Sequence, residues 1–94
     1  MAVWDRVRQL ESKTLLTMER DCPFDIVEVT HDRIVFVPQR GNGTSRWWPR
    51  RELEELYDAF LDLNVISPAD VREHWPNDQN TSYVAPILNA VKDL

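Results

Sequence analysis

The sequence predicts an α+β domain: an N-terminal helix, a small antiparallel meander of about four strands and a C-terminal unit of three helices. Three observations carry this expectation. Apolar residues recur at helical spacing in the first eleven positions and again after residue 49. Between them, residues 13–48 hold short runs rich in Val, Ile, Thr and Phe. Short turn-forming stretches separate those runs, which makes a meander the simplest topology. With 94 residues, no internal repeat and no linker-like tract, the chain reads as one domain, 1–94.

In the 1–11 segment, Val3, Trp4, Val7 and Leu10 share one helical face, opposite Asp5, Arg6, Arg8 and Gln9. A short amphipathic helix over 2–11, lying as a lid on the core, is expected. The strand runs are KTLLTM, FDIVEVT, RIVFVPQ and SRWW, within 13–48. His31 and Asp32 suit the turn between the second and third runs, and GNGT at 41–44 suits the hairpin loop before the fourth. Alternation in the second run is imperfect. Phe24 and Ile26 share a face with Glu28, while Val27 and Val29 share the other with Asp25, so either both faces are partly covered or a bulge intervenes.

Residues 49–94 supply the helices. Pro49 suits the first position of a helix running to about Leu63, with Leu53, Leu56, Tyr57, Phe60 and Leu63 as its apolar stripe. Ser67, Pro68 and Asp70 read as N-cap, first residue and third residue of a second helix that ends near Trp75, ahead of Pro76. Val84, Ile87, Leu88 and Val91 repeat at helical spacing in a third. Ser82 is the expected cap there, because it keeps Pro86 in the first turn.

Several function classes find no support in the residues. Cys22 is the only cysteine, which rules out an intramolecular disulfide and suggests a reducing, cytosolic setting. No leader-like h-region is visible and no apolar run approaches the roughly 18 residues of a membrane span. His31 and His74 lack ligand spacing, and no serine elbow, phosphate loop or Gly-rich cofactor fingerprint occurs. The expectation is a non-enzymatic domain with no metal and no cofactor.

Charge is distributed unevenly. The chain carries a net charge of −5, yet residues 33–51 hold five arginines and no acid, while residues 52–94 carry two basic and nine acidic side chains. Arg40, Arg46, Trp47, Trp48, Arg50 and Arg51 are therefore the candidate contacts for nucleic acid, DNA foremost, or for another anionic partner. Because adjacent strand residues face opposite ways, one of Trp47 and Trp48 belongs in the core. Arg50 and Arg51 also stand four residues before Glu54 and Glu55, the spacing of helical ion pairs. The alternative reading is a protein-interaction module, possibly homo-oligomeric, using an exposed aromatic such as Trp48, Trp75 or Tyr83.

The stretch from 50 to 94 resembles the three-helix unit of helix-turn-helix and winged-helix DNA-binding domains, through a first helix, the Ser-Pro-capped helix and a last helix opening on Asn80, Thr81, Ser82 and Tyr83. The resemblance implies that those four residues begin a recognition helix and that the basic hairpin acts as the wing.

Overall fold

The computed structural model describes residues 3–18, 20–40, 43–76 and 80–94. Its elements are α1 (Val3–Arg8), β1 (Thr14–Leu16), β2 (Pro23–Val29), β3 (Arg33–Pro38), β4 (Arg46–Pro49), α2 (Arg50–Ala59), α3 (Pro68–His74) and α4 (Thr81–Lys92). The four strands form one sheet in chain order, every pair antiparallel. The α+β class and the meander follow the sequence expectation. The hairpin loop expected at Gly41 and Asn42 and the turn expected at 77–79 fall outside the described residues, although Gly43 does take a positive φ of 73°.

One face of the sheet is the floor of the core. Phe24, Ile26, Val29, Ile34, Phe36 and Trp48 are buried there with Trp4 and Val7 of α1, Leu53 and Leu56 of α2, Val71 of α3 and Ile87 and Leu88 of α4. Each such side chain removed from water contributes about 1.5–3 kcal/mol. The opposite face carries Val27, Glu28, Arg33 and Trp47, all exposed. Half-solvated antiparallel sheets are common, so this open face leaves the fold complete.

The irregular second run resolves as a bulge. Ile26 pairs with Phe36 and Glu28 with Val35, leaving Val27 as the extra residue. Phe24 and Ile26 point inward on one side of it and Val29 points inward on the other. β1 ends short of Val29, whose N–H donates instead to the Glu11 carboxylate at 2.8 Å. Trp4 closes the same corner, its indole Nε1 donating to the Thr30 carbonyl at 2.7 Å.

Four helix boundaries differ from expectation, the first being that of α1, which ends at Arg8 instead of residue 11. Pro49 is the N-cap of α2 and the last residue of β4, one position earlier than the sequence suggests. α2 ends at Ala59 instead of Leu63, with the Lys92 ammonium donating to the carbonyls of Phe60 and Leu63 beyond its end. α4 is capped at Asn80 and begins at Thr81, so Pro86 sits inside the helix and not in its first turn. Pro86 has no N–H to offer the Ser82 carbonyl, and its burial in the core layer offsets that loss. α3 matches its expectation: the Ser67 hydroxyl accepts from the Asp70 N–H, and the Asp70 carboxylate accepts from the Ser67 N–H at 2.9 Å. These bonds from the Ser67 backbone and hydroxyl hold the Asp70 carboxyl below the usual aspartate range.

Candidate functional site

The candidate residues gather at the β4 end of the sheet, but they do not form a single surface. β4 is an edge strand, and the bond from the Arg50 N–H to the Asp32 carbonyl at 2.8 Å sets the phase of its ladder with β3. Counting back along the antiparallel register, Ile34↔Trp48 and Phe36↔Arg46 are hydrogen-bonded pairs, and Val35↔Trp47 and Arg33↔Pro49 are not. Pro49 therefore sacrifices no ladder bond. The backbone N–H and C=O of Trp47 face the open edge.

The two tryptophans divide as strand alternation requires. Trp48 is 1% exposed and belongs to the core, so it is removed from the set of candidate contacts; Trp47 is 52% exposed on the outer face of the sheet. The Arg33 guanidinium lies over the Trp47 ring, 5.5 Å from its centroid, a cation–π arrangement between diagonal cross-strand neighbours. Arg33 was not among the residues singled out from sequence. Its signal was present in the pairing register, which sets the first residue of β3 diagonally across from Trp47, but that register depends on loop geometry between the two strands.

The arginines divide too. Arg50 is a structural residue: its Nε pairs with Glu54 at 3.1 Å, its Nη1 donates to the His31 carbonyl at 3.0 Å and its guanidinium carbon stands 5.4 Å from the centre of the Trp4 ring. It fastens the β2–β3 turn to α1 and α2, which commits two of its five N–H donors within the fold. Arg46 turns to the inner side, over the Tyr83 ring at 5.3 Å, and donates to the Asn80 side-chain carbonyl at 3.2 Å. Arg40 and Arg51 are exposed.

At the start of α4, Thr81 is buried, and Tyr83 leans on Phe24 and Phe36 with ring centroids 5.2 Å away in each case. Thr81 is thus withdrawn from solvent, and Tyr83 is partly covered by the sheet. Ser82 and Asn80 remain partly accessible. A cleft of about 480 Å³ runs between Ser45, Arg46 and Trp47 on the strand side and Glu52 and Asn80 on the helix side.

Across the outer face, charge changes sign from strand to strand. Asp25 and Glu28 lie on β2, with the Asp25 carboxyl held below its ordinary range by hydrogen bonds from Thr14 and Gln39. Arg33 and Trp47 lie on β3 and β4. The tight turn between β2 and β3 is fixed by Thr30, whose hydroxyl bonds to Asp32 at 2.7 Å and lowers that carboxyl also. This arrangement suits stacking and anion pairing on the β3–β4 half of the sheet. Among the described residues, no cluster of His, Cys, Asp and Glu could hold a metal ion, and no helix is long and apolar enough to cross a membrane. Comparison with known proteins finds no matching family model, no matching curated protein and no matching solved structure.

Proposed function

We propose that the chain is a non-enzymatic, cytosolic nucleic-acid-binding module that takes a single strand on the outer face of β3 and β4. Trp47 stacks on a base, Arg33 covers the ring and pairs with the neighbouring phosphate, and the exposed Arg40 and Arg51 extend the positive field along the strand. The observation that carries this reading is the half-exposed Trp47 beneath the Arg33 guanidinium, on the one stretch of chain that has five arginines and no acid. A flat aromatic beside cations serves single strands better than duplexes, since any unpaired base offers a π-face and a paired one does not. DNA or RNA would satisfy the same contacts. In this reading the wing of the winged-helix resemblance is retained as the binding element, and the start of α4 is left as packing.

The test is the anisotropy of a labelled oligonucleotide, single-stranded and duplex, titrated with the protein over a salt series. Affinity for the single strand should fall steeply as salt rises, because each phosphate pairing releases counterions. Trp47→Ala should weaken it by about 5- to 150-fold, the equivalent of about 1–3 kcal/mol of base stacking. Absence of binding at low salt would sink the proposal, and so would a Trp47→Ala protein that binds like the parent.

A further inference from the structure

The cleft of about 480 Å³ is lined by every residue of β4, Arg46 to Pro49, and so follows the open edge of the sheet. With Ile34↔Trp48 and Phe36↔Arg46 as the hydrogen-bonded pairs, the N–H and C=O of Trp47 point away from β3. The edge therefore offers one main-chain donor and one acceptor to whatever enters. Pro49 adds nothing to them: it has no N–H, and its carbonyl, at the N-cap, accepts the first bond of α2. Ser45 lies just outside the strand. Such an edge suits a single residue pair and not a long added strand.

The two ends of the cleft differ in charge. At the start of β4 the Arg46 guanidinium lies over the Tyr83 ring at 5.3 Å and gives an N–H to the Asn80 side-chain carbonyl at 3.2 Å, which fixes its direction without neutralising it. Its remaining N–H groups suit a carboxylate, which an arginine fork binds through two parallel bonds. Past Pro49, Glu52 brings a negative charge in the first turn of α2. Trp48 lines the cleft as well, and its buried indole N–H has no acceptor among the described residues.

β4 runs from Arg46 to Pro49, so a strand added antiparallel to it ends at Arg46, and one added in parallel ends towards Glu52. A terminal carboxylate is attracted at the first end and repelled at the second. We infer that the cleft captures the free C-terminus of an extended peptide running antiparallel to β4. One peptide residue exchanges both main-chain bonds with Trp47, and the terminal carboxylate rests on Arg46. Main-chain bonds supply the attachment and the carboxylate sets the register. An internal strand segment, the β4 of a second copy included, brings no terminal carboxylate to Arg46 and finds no main-chain partner in β4 beyond Trp47. The inference uses the main chain of Trp47 and not its ring, and it stands independently of the nucleic-acid reading.

The experiment titrates the isotope-labelled full chain with an acetylated pentapeptide rich in valine and threonine, once as the free acid and once as the C-terminal amide, following amide shifts. The acid should shift Trp47, Asn80 and the Arg46 side chain and bind about 10- to 100-fold more tightly than the amide, which lacks the charge-assisted bonds. Trp47→Ala keeps the edge N–H and should bind the acid within about twofold of the parent, although it loses the stacking ring. Trp47→Pro deletes that N–H without breaking a bond to β3 and should bind about 2- to 10-fold more weakly than Trp47→Ala. The proposal fails if the acid does not bind, if acid and amide bind equally, if acetate at the same concentration reproduces the shifts, or if Trp47→Pro binds like Trp47→Ala. It fails also if sedimentation shows a dimer that Trp47→Pro dissociates, which would make a second copy the occupant.

Discussion

At the scale of single residues, the two largest buried side chains differ in one atom's fate. Trp4 and Trp48 are both almost fully buried, yet the Trp4 indole N–H reaches the Thr30 carbonyl, while that of Trp48 meets no acceptor among the described residues. A buried donor without a partner forfeits its hydration and gains nothing in return. Replacing either tryptophan with phenylalanine removes similar volume and leaves a similar cavity. Trp4→Phe also discards a hydrogen bond and weakens the cation–π contact from Arg50, whereas Trp48→Phe discards only an unpaired N–H. Trp4→Phe should therefore cost more than Trp48→Phe by about 1–2 kcal/mol, measured as the difference in urea unfolding free energy. Equal costs, or a larger cost at Trp48, would show that cavity shape and not the N–H sets the difference. At this scale the sequence was informative only as far as alternation goes: it required one of Trp47 and Trp48 to be buried without saying which. The assignment comes from the register with β3, which sets Trp48 opposite the buried Ile34 and Trp47 opposite Val35, partners that are distant in the chain.

Among elements, the bulge in β2 shows why a mixed pattern was still a strand. The inward residues Phe24, Ile26 and Val29 are out of step by one, and Val27 is the residue that absorbs the step. Removing Val27 would join Ile26 directly to Glu28, preserving both Ile26↔Phe36 and Glu28↔Val35 in an unbroken ladder with the same residues facing inward. Deletion of Val27 should thus leave a folded protein, whereas deletion of Asp25 would carry Phe24 and Pro23 onto the wrong faces and unfold it. Near-ultraviolet circular dichroism with thermal unfolding checks the pair: loss of the cooperative transition in the Val27 deletion would refute the in-step ladder. Helix ends were less legible than the bulge. The stripe from Leu53 to Leu63 continues at helical spacing, but the chain turns after Ala59 because Ile66 must reach the core and Asn89 must hold its backbone. Periodicity reports a face and not the tertiary contact that ends it. For the same reason the start of α4 lay two residues earlier than a preference against interior proline suggests.

For the whole molecule, order and class were legible because short connections leave antiparallel neighbours little choice, and the charge blocks were legible because they are linear in sequence. The division of the basic block was not, since Arg46 and Arg50 are recruited by Tyr83, Asn80, His31 and Trp4, partners distant in the chain. What survives at this scale is a polarity: the sequence from 52 to 94, which supplies α2, α3 and α4, has nine acids against two cations, and the β3–β4 half of the outer face carries Arg33. Under the proposed reading, a polyanion approaching the molecule would be repelled by the acidic helical residues and favoured at that half of the sheet. Such steering acts through solvent and decays over a Debye length of about 10 Å at 0.1 M salt. Glu55 and Asp58 are exposed on α2 and belong to neither candidate surface, so Glu55→Gln with Asp58→Asn removes two negative charges without touching Trp47 or Arg33. The double variant should bind a single-stranded oligonucleotide more tightly than the parent at low salt, chiefly through faster association, and should match it at high salt where the field is screened. Stopped-flow association rates across a salt series measure this directly. An advantage that persists undiminished at high salt would mean that the two acids act by local contact, and an absent advantage at low salt would mean that the helical layer does not orient the ligand at all.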